Sequence, residues 1–484
     1  MLQLLGSLLI LLTTVIYRLW IHDLRRFPGP KLAAVSRIPY LWQGYNGNLV
    51  AWVSQQHERY GEIVRIAPYE LSFTKPEGWD EIYGHATRGR KQTQKDLRFH
   101  NDKTMGVVRD IVRANDVDHA RYRRNFSHAF SERALNAQNP LIMKYVDLLI
   151  FKLKKIALSP DPRVDIVRWY NFTSFDIMSD LTFGDPLGLL ESEEYDEFVV
   201  LMFASVKAEM MQMVSRYLKW LKPIAKMLIT QEAIEKRKNH YDFLRRSVDK
   251  RLARHNPRPD IWGLVIEATG EKKMNLEEMY ANSKSIMLGG TETSATSLSG
   301  ITYLLLTNPV AYKTLVEEVR STFPSEQDIT STKLQQMPYL NACVEEALRM
   351  YPPVPGGLPR IVPPEGRAVC GEWIPGDVVV SVHQYSTYRN PKNFKDPNSF
   401  RPERWLKDPD FAADRRDALQ PFSTGPRNCV GMNLAYHEIR LILARVMWNF
   451  DMTLCPGSEN FLDQKVYLLW DKGPLVVELK QRKT

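Results

Sequence analysis

Cysteine is scarce in this chain: four among 484 residues, at positions 343, 370, 429 and 455, with no Cys-x-x-Cys pair. That scatter speaks against a zinc site or a disulfide framework, and so few cysteines suit a reducing compartment. Also missing are a Gly/Ser-rich linker, a low-complexity run and an internal repeat. Length by itself suggests roughly two or three domains, but with nothing to separate them one large folded unit is the expectation. The net charge of +9 comes without a nucleic-acid-binding motif. An anionic membrane surface or an acidic partner protein therefore fits it better than nucleic acid. With 44% apolar residues the chain can bury a large core.

One long hydrophobic run stands out, at the N-terminus. Leu2 to Tyr17 carries no charge, and Leu19, Trp20 and Ile21 extend it to about the 20 residues that a bilayer span requires. Arg18 can snorkel to the interface, where Trp20 also belongs. A cleaved signal peptide is the rival reading, but the run has no basic leader and no A-x-A-like site after it. Arg25, Arg26 and Lys31 follow the span, which places the remainder on the cytosolic side. Residues 2–21 thus read as a transmembrane anchor and residues 22–35, with Phe27-Pro28-Gly29-Pro30, as a stiff proline-rich hinge. Residues 36–484 read as the globular unit.

That unit reads as mainly helical. Ile63 to Ala67 and Glu70 to Thr74 suggest a β-hairpin. Helical periodicity then runs over Pro140–Leu158, Val167–Thr182, Ser192–Met213, Gln231–His255, Leu276–Leu306, Pro309–Phe323 and Met337–Met350. Pro352, Pro353 and Pro355 end this stretch. Short strands are expected over Ala368–Ile374 and Val378–Val382, and a last helix from about Val430 to Phe450.

Chemistry concentrates where that last helix begins, in Phe422-Ser423-Thr424-Gly425-Pro426-Arg427-Asn428-Cys429-Val430-Gly431. A thiolate needs a depressed pKa, which a helix N-terminus and a nearby cation supply. Cys429 has both in prospect, with Arg427 two residues before it. Gly425 and Gly431 permit tight turns and a close approach of backbone to a flat cofactor, and Phe422 can shield the sulfur. A lone cysteine is more often a buried structural residue, but here the surrounding positions match as a set.

The segment resembles the haem-binding loop of the cytochrome P450 family, Phe-x-x-Gly-x-Arg-x-Cys-x-Gly, at every position. The resemblance implies haem b with Cys429 as axial ligand and metal-binding residue, and Arg427 on a haem propionate. A thiolate ligand pushes electron density onto iron and favours O–O cleavage. Glu346-Ala347-Leu348-Arg349 resembles the family's Glu-x-x-Arg helix, and Pro402-Glu403-Arg404-Trp405 the segment whose arginine completes that structural ion-pair cluster. Gly289-Gly290-Thr291-Glu292-Thr293-Ser294 resembles its oxygen-activation site. Two interior glycines cost a helix about 1 kcal/mol each, and a local opening of the helix to admit dioxygen and water would account for them. Thr293 would hydrogen-bond bound oxygen and Glu292 would connect a proton relay to solvent. His119 and Arg123, at i and i+4, would aim donors at a haem carboxylate, with histidine where the family often has tryptophan. Arg360, in Leu358-Pro359-Arg360, resembles another propionate contact.

The resemblance runs from about Pro28 to the end and implies a triangular helical body with a smaller β-rich region. Fungal microsomal members, similar to the trichothecene and benzoate hydroxylase groups, are closest in wording. It further implies electrons from NADPH through NADPH–cytochrome P450 reductase, with cytochrome b5 as an additional partner. The setting would be the endoplasmic reticulum membrane, spanned once, with the catalytic domain in the cytosol. Dioxygen and a hydrophobic small molecule, a terpenoid, polyketide or alkaloid, would be the substrates. Substrate contacts map to Phe99–Asn115, Phe203–Met213 and Pro355–Leu358, with Met202, Met210, Met211 and Met213 as an adaptable apolar surface or, for at least two of them, as ordinary core or membrane-facing surface. Two other classes are open: a haem-thiolate isomerase or dehydratase acting on a peroxide, and a non-enzymatic haem sensor. An intact Glu292-Thr293 pair favours the monooxygenase over both.

Overall fold

The computed structural model describes residues 2–86, 91–100, 108–227, 230–254, 258–266 and 273–482. Residues 101–107 of the expected substrate loop and His255 lie outside them. The chain opens with α1 (Leu2–Ile16), continued by a π-helical turn over Tyr17–Ile21. Caps then set where most helices start. Asn115, Ser131, Asp165, Asp196 and Thr230 each accept a backbone N–H at the head of α2 (Asp116–Ala129), α3 (Glu132–Ala157), α4 (Ile166–Phe183), α5 (Glu197–Tyr217) and α6 (Gln231–Leu252). Asn275 and Glu278 form a reciprocal capping box on α7 (Leu276–Leu306). Proline opens α8 (Pro309–Thr322) and α9 (Pro338–Met350), where its missing N–H costs nothing. The last helix is α10 (Met432–Asn449).

Three boundaries differ from the sequence reading for identifiable reasons. Pro140 lies inside α3, because the Ser131 cap and the burial of Ala134, Leu135 and Gln138 outweigh one lost backbone hydrogen bond. The start of α5 moves from Ser192 to Glu197, where Asp196 caps it. α10 starts at Met432, so Cys429 belongs to the turn before the helix.

The hairpin forms as β1 (Ile63–Ala67) and β2 (Glu70–Phe73), antiparallel with an irregularity between Arg65 and Ala67. It extends into a five-stranded sheet with β3 (Gln94–Lys95), β5 (Arg360–Ile361) and β6 (Val379–Val382), ordered β1-β2-β6-β5-β3. A three-stranded sheet joins β4 (Arg163–Asp165), β8 (Val476–Gln481) and β7 (Phe450–Leu454) in the order β4-β8-β7. The stretch expected over Ala368–Ile374 is a small hairpin, Arg367–Val369 with Glu372–Ile374.

Leu5, Leu8, Leu9, Ile10, Leu11 and Leu12 of α1 are all exposed, whereas the segment after it is firmly seated. Leu24 and Phe27 are buried among Leu71, Phe73 and Val380. Arg65 N donates to Pro28 O at 2.8 Å, and a Cβ on Gly29 would collide with the Arg65 carbonyl. Lys31–Val35 is a helical turn with Ala33 and Ala34 buried. The stretch expected as a hinge is thus packed onto β1. Among the described helices only α5 has the length and hydropathy of a full span, and it packs into the body through Phe198, Val199 and Met202.

The main core surrounds α4, where every residue except Arg168 is buried. A second anchor is ionic. Glu346 has no exposed surface and accepts from Arg349 Nε and Nη2, both at 2.8 Å, from Trp405 Nε1 at 3.0 Å and from Arg401 N at 2.9 Å. Arg404 Nε approaches at 3.3 Å and its other end meets Asp414. Burial pushes the Glu346 carboxyl up, but the two guanidiniums bring it below its ordinary range.

Glu438 of α10 is the contrasting acid. It is fully buried, and burial raises its pKa to about 8 with only the Ser294 hydroxyl of α7 opposing. A group that holds its proton more tightly when folded adds stability below its unfolded pKa of about 4.3 and loses it as pH climbs towards the folded value. Stability should therefore fall between about pH 5 and 8 by up to about 1.4 kcal/mol per pH unit. Glu438→Gln should flatten that slope in urea-unfolding midpoints across this range. An unchanged slope in the variant would show that Glu438 is not its source.

Candidate active site

Strand register builds one wall of the site. Lys95 of β3 lies directly opposite Arg360 of β5, and like charges opposite one another in a ladder repel unless an anion lies between them. Arg360 is 3% exposed, its Nη1 has no hydrogen-bond partner, and the Tyr83 ring lies 5.2 Å from its guanidinium. Burial, then Arg360 and Arg427, push the Lys95 ammonium well below its usual range. Burial also brings the Arg360 guanidinium down to about 10.

The opposite wall is the turn before α10. Gly425 has φ +72°, and a Cβ there would meet the Tyr83 carbonyl, so only glycine fits. The loop closes on itself where Cys429 N donates to Phe422 O at 2.9 Å. The Phe422 ring rests 5.0 Å from that of Tyr436. Gly431 needs no special φ; a Cβ would point past Phe130 and the Cys429 Sγ, at 3.8 and 4.0 Å. Cys429 is exposed, but only towards a cavity of about 360 Å³ enclosed between this loop and α7. Phe126, Phe130, Ile286, Leu348, Val354 and Ile439 give that cavity an apolar lining.

The rim groups differ from expectation in detail. Arg427 donates to Ala114 O at 2.8 Å and Asp116 Oδ1 at 2.7 Å, and its buried Nη1 has no partner. Arg123 spends two donors on Asn428, on the carbonyl and on Oδ1, the latter at 2.7 Å. It is Arg123, not Arg427, whose charge acts on the Cys429 thiol. The Cys429 thiol does not have the depressed pKa expected from the sequence: burial pushes it up, against the Gly431 N–H and Arg123. A coordinated metal would deprotonate such a thiol outright. His119 is buried and held neutral, its pKa lowered to about 3 by burial and by Arg427, Lys95 and Arg123. His100, with Nε2 unpartnered, joins the same rim.

α7 crosses the cavity as an unbroken helix, without the local opening anticipated at its glycines. Gly289 has nothing within 4 Å of its Cβ position, whereas a Cβ on Gly290 would strike Met178 at 2.6 Å. One glycine leaves room and the other permits packing. Thr293 lines the cavity, its hydroxyl donating to Gly289 O at 2.6 Å. Glu292, about 100° further round the helix, lines a different cleft on the far side and pairs with Lys472.

Of the expected substrate contacts, His100, Ile111, Val112 and Leu358 line the cavity. No residue of Phe203–Met213 does. Met202, Met210 and Met213 are buried in the packing of the body, so they are core and not an adaptable surface. Sequence reasoning missed Lys95 and Lys472. Two-residue strands carry no periodicity to find the first, and Lys472 is 180 residues from its partner.

The residues present suit a flat dianionic cofactor bearing a soft metal ion. A thiol opens into an apolar slot, two glycines leave it clear, and the rim holds arginine nitrogens without partners beside a repelling Lys95–Arg360 pair. Thiol ligation, an apolar slot and cationic carboxylate sites together define a haem-thiolate protein. The cytochrome P450 family profile matches residues 28–478, and the chain belongs to that family. It is 47% identical to cytochrome P450 monooxygenase efuB of Hormonema carpetanum, over 97% of this chain and 94% of that protein. It is 43% identical to FUM2 of Gibberella moniliformis (96% and 100%) and 42% identical to averantin hydroxylase of Dothistroma septosporum (99% and 90%). Haem iron is accordingly the cofactor, and the activity is that of a haem-thiolate monooxygenase.

Reduced protein under carbon monoxide should show the absorption diagnostic of thiolate-ligated haem, and Cys429→Ala should abolish it. Lys95→Met combined with Arg360→Met should lower haem retention about tenfold or more, each lost charged contact being worth about 1.5–3 kcal/mol. Haem content after gel filtration checks this; full retention in the double variant would remove both from the cofactor site.

Proposed function

We propose that this enzyme inserts one atom of dioxygen into a hydrophobic small molecule, with Cys429 as the residue that would hold the haem iron. One observation carries the reading: a single apolar cavity joins the Cys429 thiol, a rim of buried cations short of anions, and the Thr293 hydroxyl. Substrate, dioxygen, two electrons and two protons yield hydroxylated product and water. The haem, when bound, supplies the activation of dioxygen.

The protein's own groups bind, orient and protonate. Arg360 Nη1, Arg427 Nη1, Lys95 and a neutral His119 N–H would take up the propionates. Arg123 acts indirectly, bracing Asn428 beside the ligand. The apolar lining excludes bulk water and favours a substrate with little charge. Thr293 would hold a proton at Oγ1 inside the cavity, and Glu292 would supply it from outside.

NADPH is the electron source in this reading, through NADPH–cytochrome P450 reductase and with cytochrome b5 as a second donor. The exposed apolar α1 would hold the enzyme in the endoplasmic reticulum membrane with the catalytic body in the cytosol. Similarity to averantin hydroxylase and to the other fungal monooxygenases supports a tailoring step in secondary metabolism, on a terpenoid, polyketide or alkaloid scaffold.

With reductase and NADPH, Thr293→Ala should keep haem and substrate binding but yield peroxide in place of product, a loss of roughly 10²-fold in coupled turnover. Product and peroxide measured per NADPH decide it; unchanged coupling would remove Thr293 from the proton path. Deleting residues 2–21 should release haem-bound protein from microsomes, and a full-length protein found already in the soluble fraction would rule out the anchor.

A further inference from the structure

The hydroxyl groups of α7 are occupied, with one exception. Ser283, Thr291, Thr293, Ser297 and Ser299 each donate to the carbonyl four residues earlier, at 2.6–3.0 Å. Thr296 accepts from Lys472 Nζ at 2.7 Å, Thr302 meets the Tyr170 hydroxyl at 3.0 Å, and Ser294 acts on the Glu438 carboxyl. Ser285 differs. It lines the cavity in front of Cys429, it is half-buried, and its hydroxyl has no partner among the described residues. A serine inside a helix commonly bonds back to its own backbone, as the neighbours of Ser285 do. An open hydroxyl on a cavity wall is available to whatever enters the cavity.

Helix geometry fixes where that hydroxyl stands relative to the chemistry. Ser285, Gly289 and Thr293 recur at i, i+4 and i+8, so they share one face of α7, and all three line the cavity. Eight residues of helix put Ser285 about 12 Å from Thr293 along the axis. Between the two, Gly289 presents bare backbone, with nothing within 4 Å of its Cβ position. The charged groups of the lining, Lys95, Arg123, Arg360 and Arg427, serve the cofactor rim or Asn428. His100 and His119 are held neutral, mainly by burial. Among the described residues no ionised side chain of the lining is left over for a substrate. Such a space penalises a charged molecule and favours a neutral one carrying a well-placed oxygen.

We propose that Ser285 is a specificity-determining residue, whose hydroxyl anchors an oxygen of the substrate so that the molecule lies along Gly289 with the carbon to be oxidised beside Thr293. The substrate class follows from the spacing: a neutral, elongated molecule with a hydroxyl or carbonyl oxygen about 12 Å from the reacting carbon. Serine donates to a carbonyl, and both donates to and accepts from a hydroxyl. A substrate without that oxygen leaves the Ser285 hydroxyl desolvated and unpaired, which costs affinity, and it is free to slide along the glycine. This inference rests on the monooxygenase reading above and adds to it the substrate class and the residue that sets the position of oxidation.

The probes are decanol and decane, which share a chain of suitable length and differ in one hydroxyl. The holoenzyme is titrated with each, and affinity is read from the change in haem absorption. In Ser285→Ala decanol should bind roughly fivefold more weakly, the scale of one neutral hydrogen bond, with decane unaffected. Alanine is the better helix former, and the carbon monoxide spectrum checks that the variant keeps thiolate-ligated haem. With reductase and NADPH, the wild type should place oxygen on a few carbons at the far end of decanol, and Ser285→Ala should spread it along the chain. A merely structural serine would alter turnover without moving the position. Gly289→Leu should weaken both probes alike by filling the space over the glycine. Equal loss of both probes in Ser285→Ala, an unchanged product distribution, unaltered binding to Gly289→Leu, or no response of the wild type to decanol would overturn the proposal. If decanol binds with the expected dependence on Ser285 but neither probe is hydroxylated, the anchor stands and the monooxygenase reading is at fault.

Discussion

The carboxylate of Glu346 is the constraint on which the placement of the thiol depends. It has no exposed surface, and an unpaired charge there would be intolerable, so the chain after α9 has to deliver partners to it. Arg349 comes from the same helix; Arg401 N, Arg404 and Trp405 come from a segment with little regular structure. Arg349 also ties down the Tyr388, Pro397 and Ser399 carbonyls. Backbone that cannot satisfy itself in a helix or sheet is thereby held by one ionic hub. From it the chain passes to Gly425, seated against Tyr83, and to Cys429. The cluster has no part in chemistry, yet it decides where the sulfur stands.

Charge is distributed unevenly around the cavity, and the imbalance is informative. Isolated proteins rarely tolerate Lys95 and Arg360 opposite one another with His100 and Arg427 nearby, because burial and mutual repulsion act in the same direction. The cost is acceptable in a holoprotein whose cofactor brings two carboxylates. α7 shows a comparable division of labour across its width. Thr293 faces the cavity in front of Cys429 and Glu292 a second cleft, so one helix presents a hydroxyl and a carboxylate to separate spaces.

Much of this was legible in advance, wherever the signal is local. α4 starts within one residue of the expected Val167, and α7 has the bounds its periodicity indicates. Pro140 misleads because tertiary burial overrides its local penalty. The proline-rich stretch after the apolar run reads as a hinge, but its partners on β1 lie too far along the chain for any window to reveal. The methionines of α5 illustrate the same limit: composition leaves adaptable surface and core both open, and only packing shows that Met202, Met210 and Met213 are inside.

The sequence by itself determined the cofactor class and the helical architecture and singled out Cys429, since ten contiguous residues around it and a handful of short motifs act through spacing that the backbone preserves. Tertiary structure alone decided which cations keep a donor without a partner. Arg427 and Arg123 look equivalent as text, yet Asn428 claims donors from one and leaves Nη1 of the other open. It alone paired Lys95 with Arg360, through strands two residues long, and brought Lys472 to Glu292 across 180 positions. The reason is physical: a motif records what neighbours along the chain must do together, whereas the partner of a buried charge is chosen by whichever distant segment folds against it.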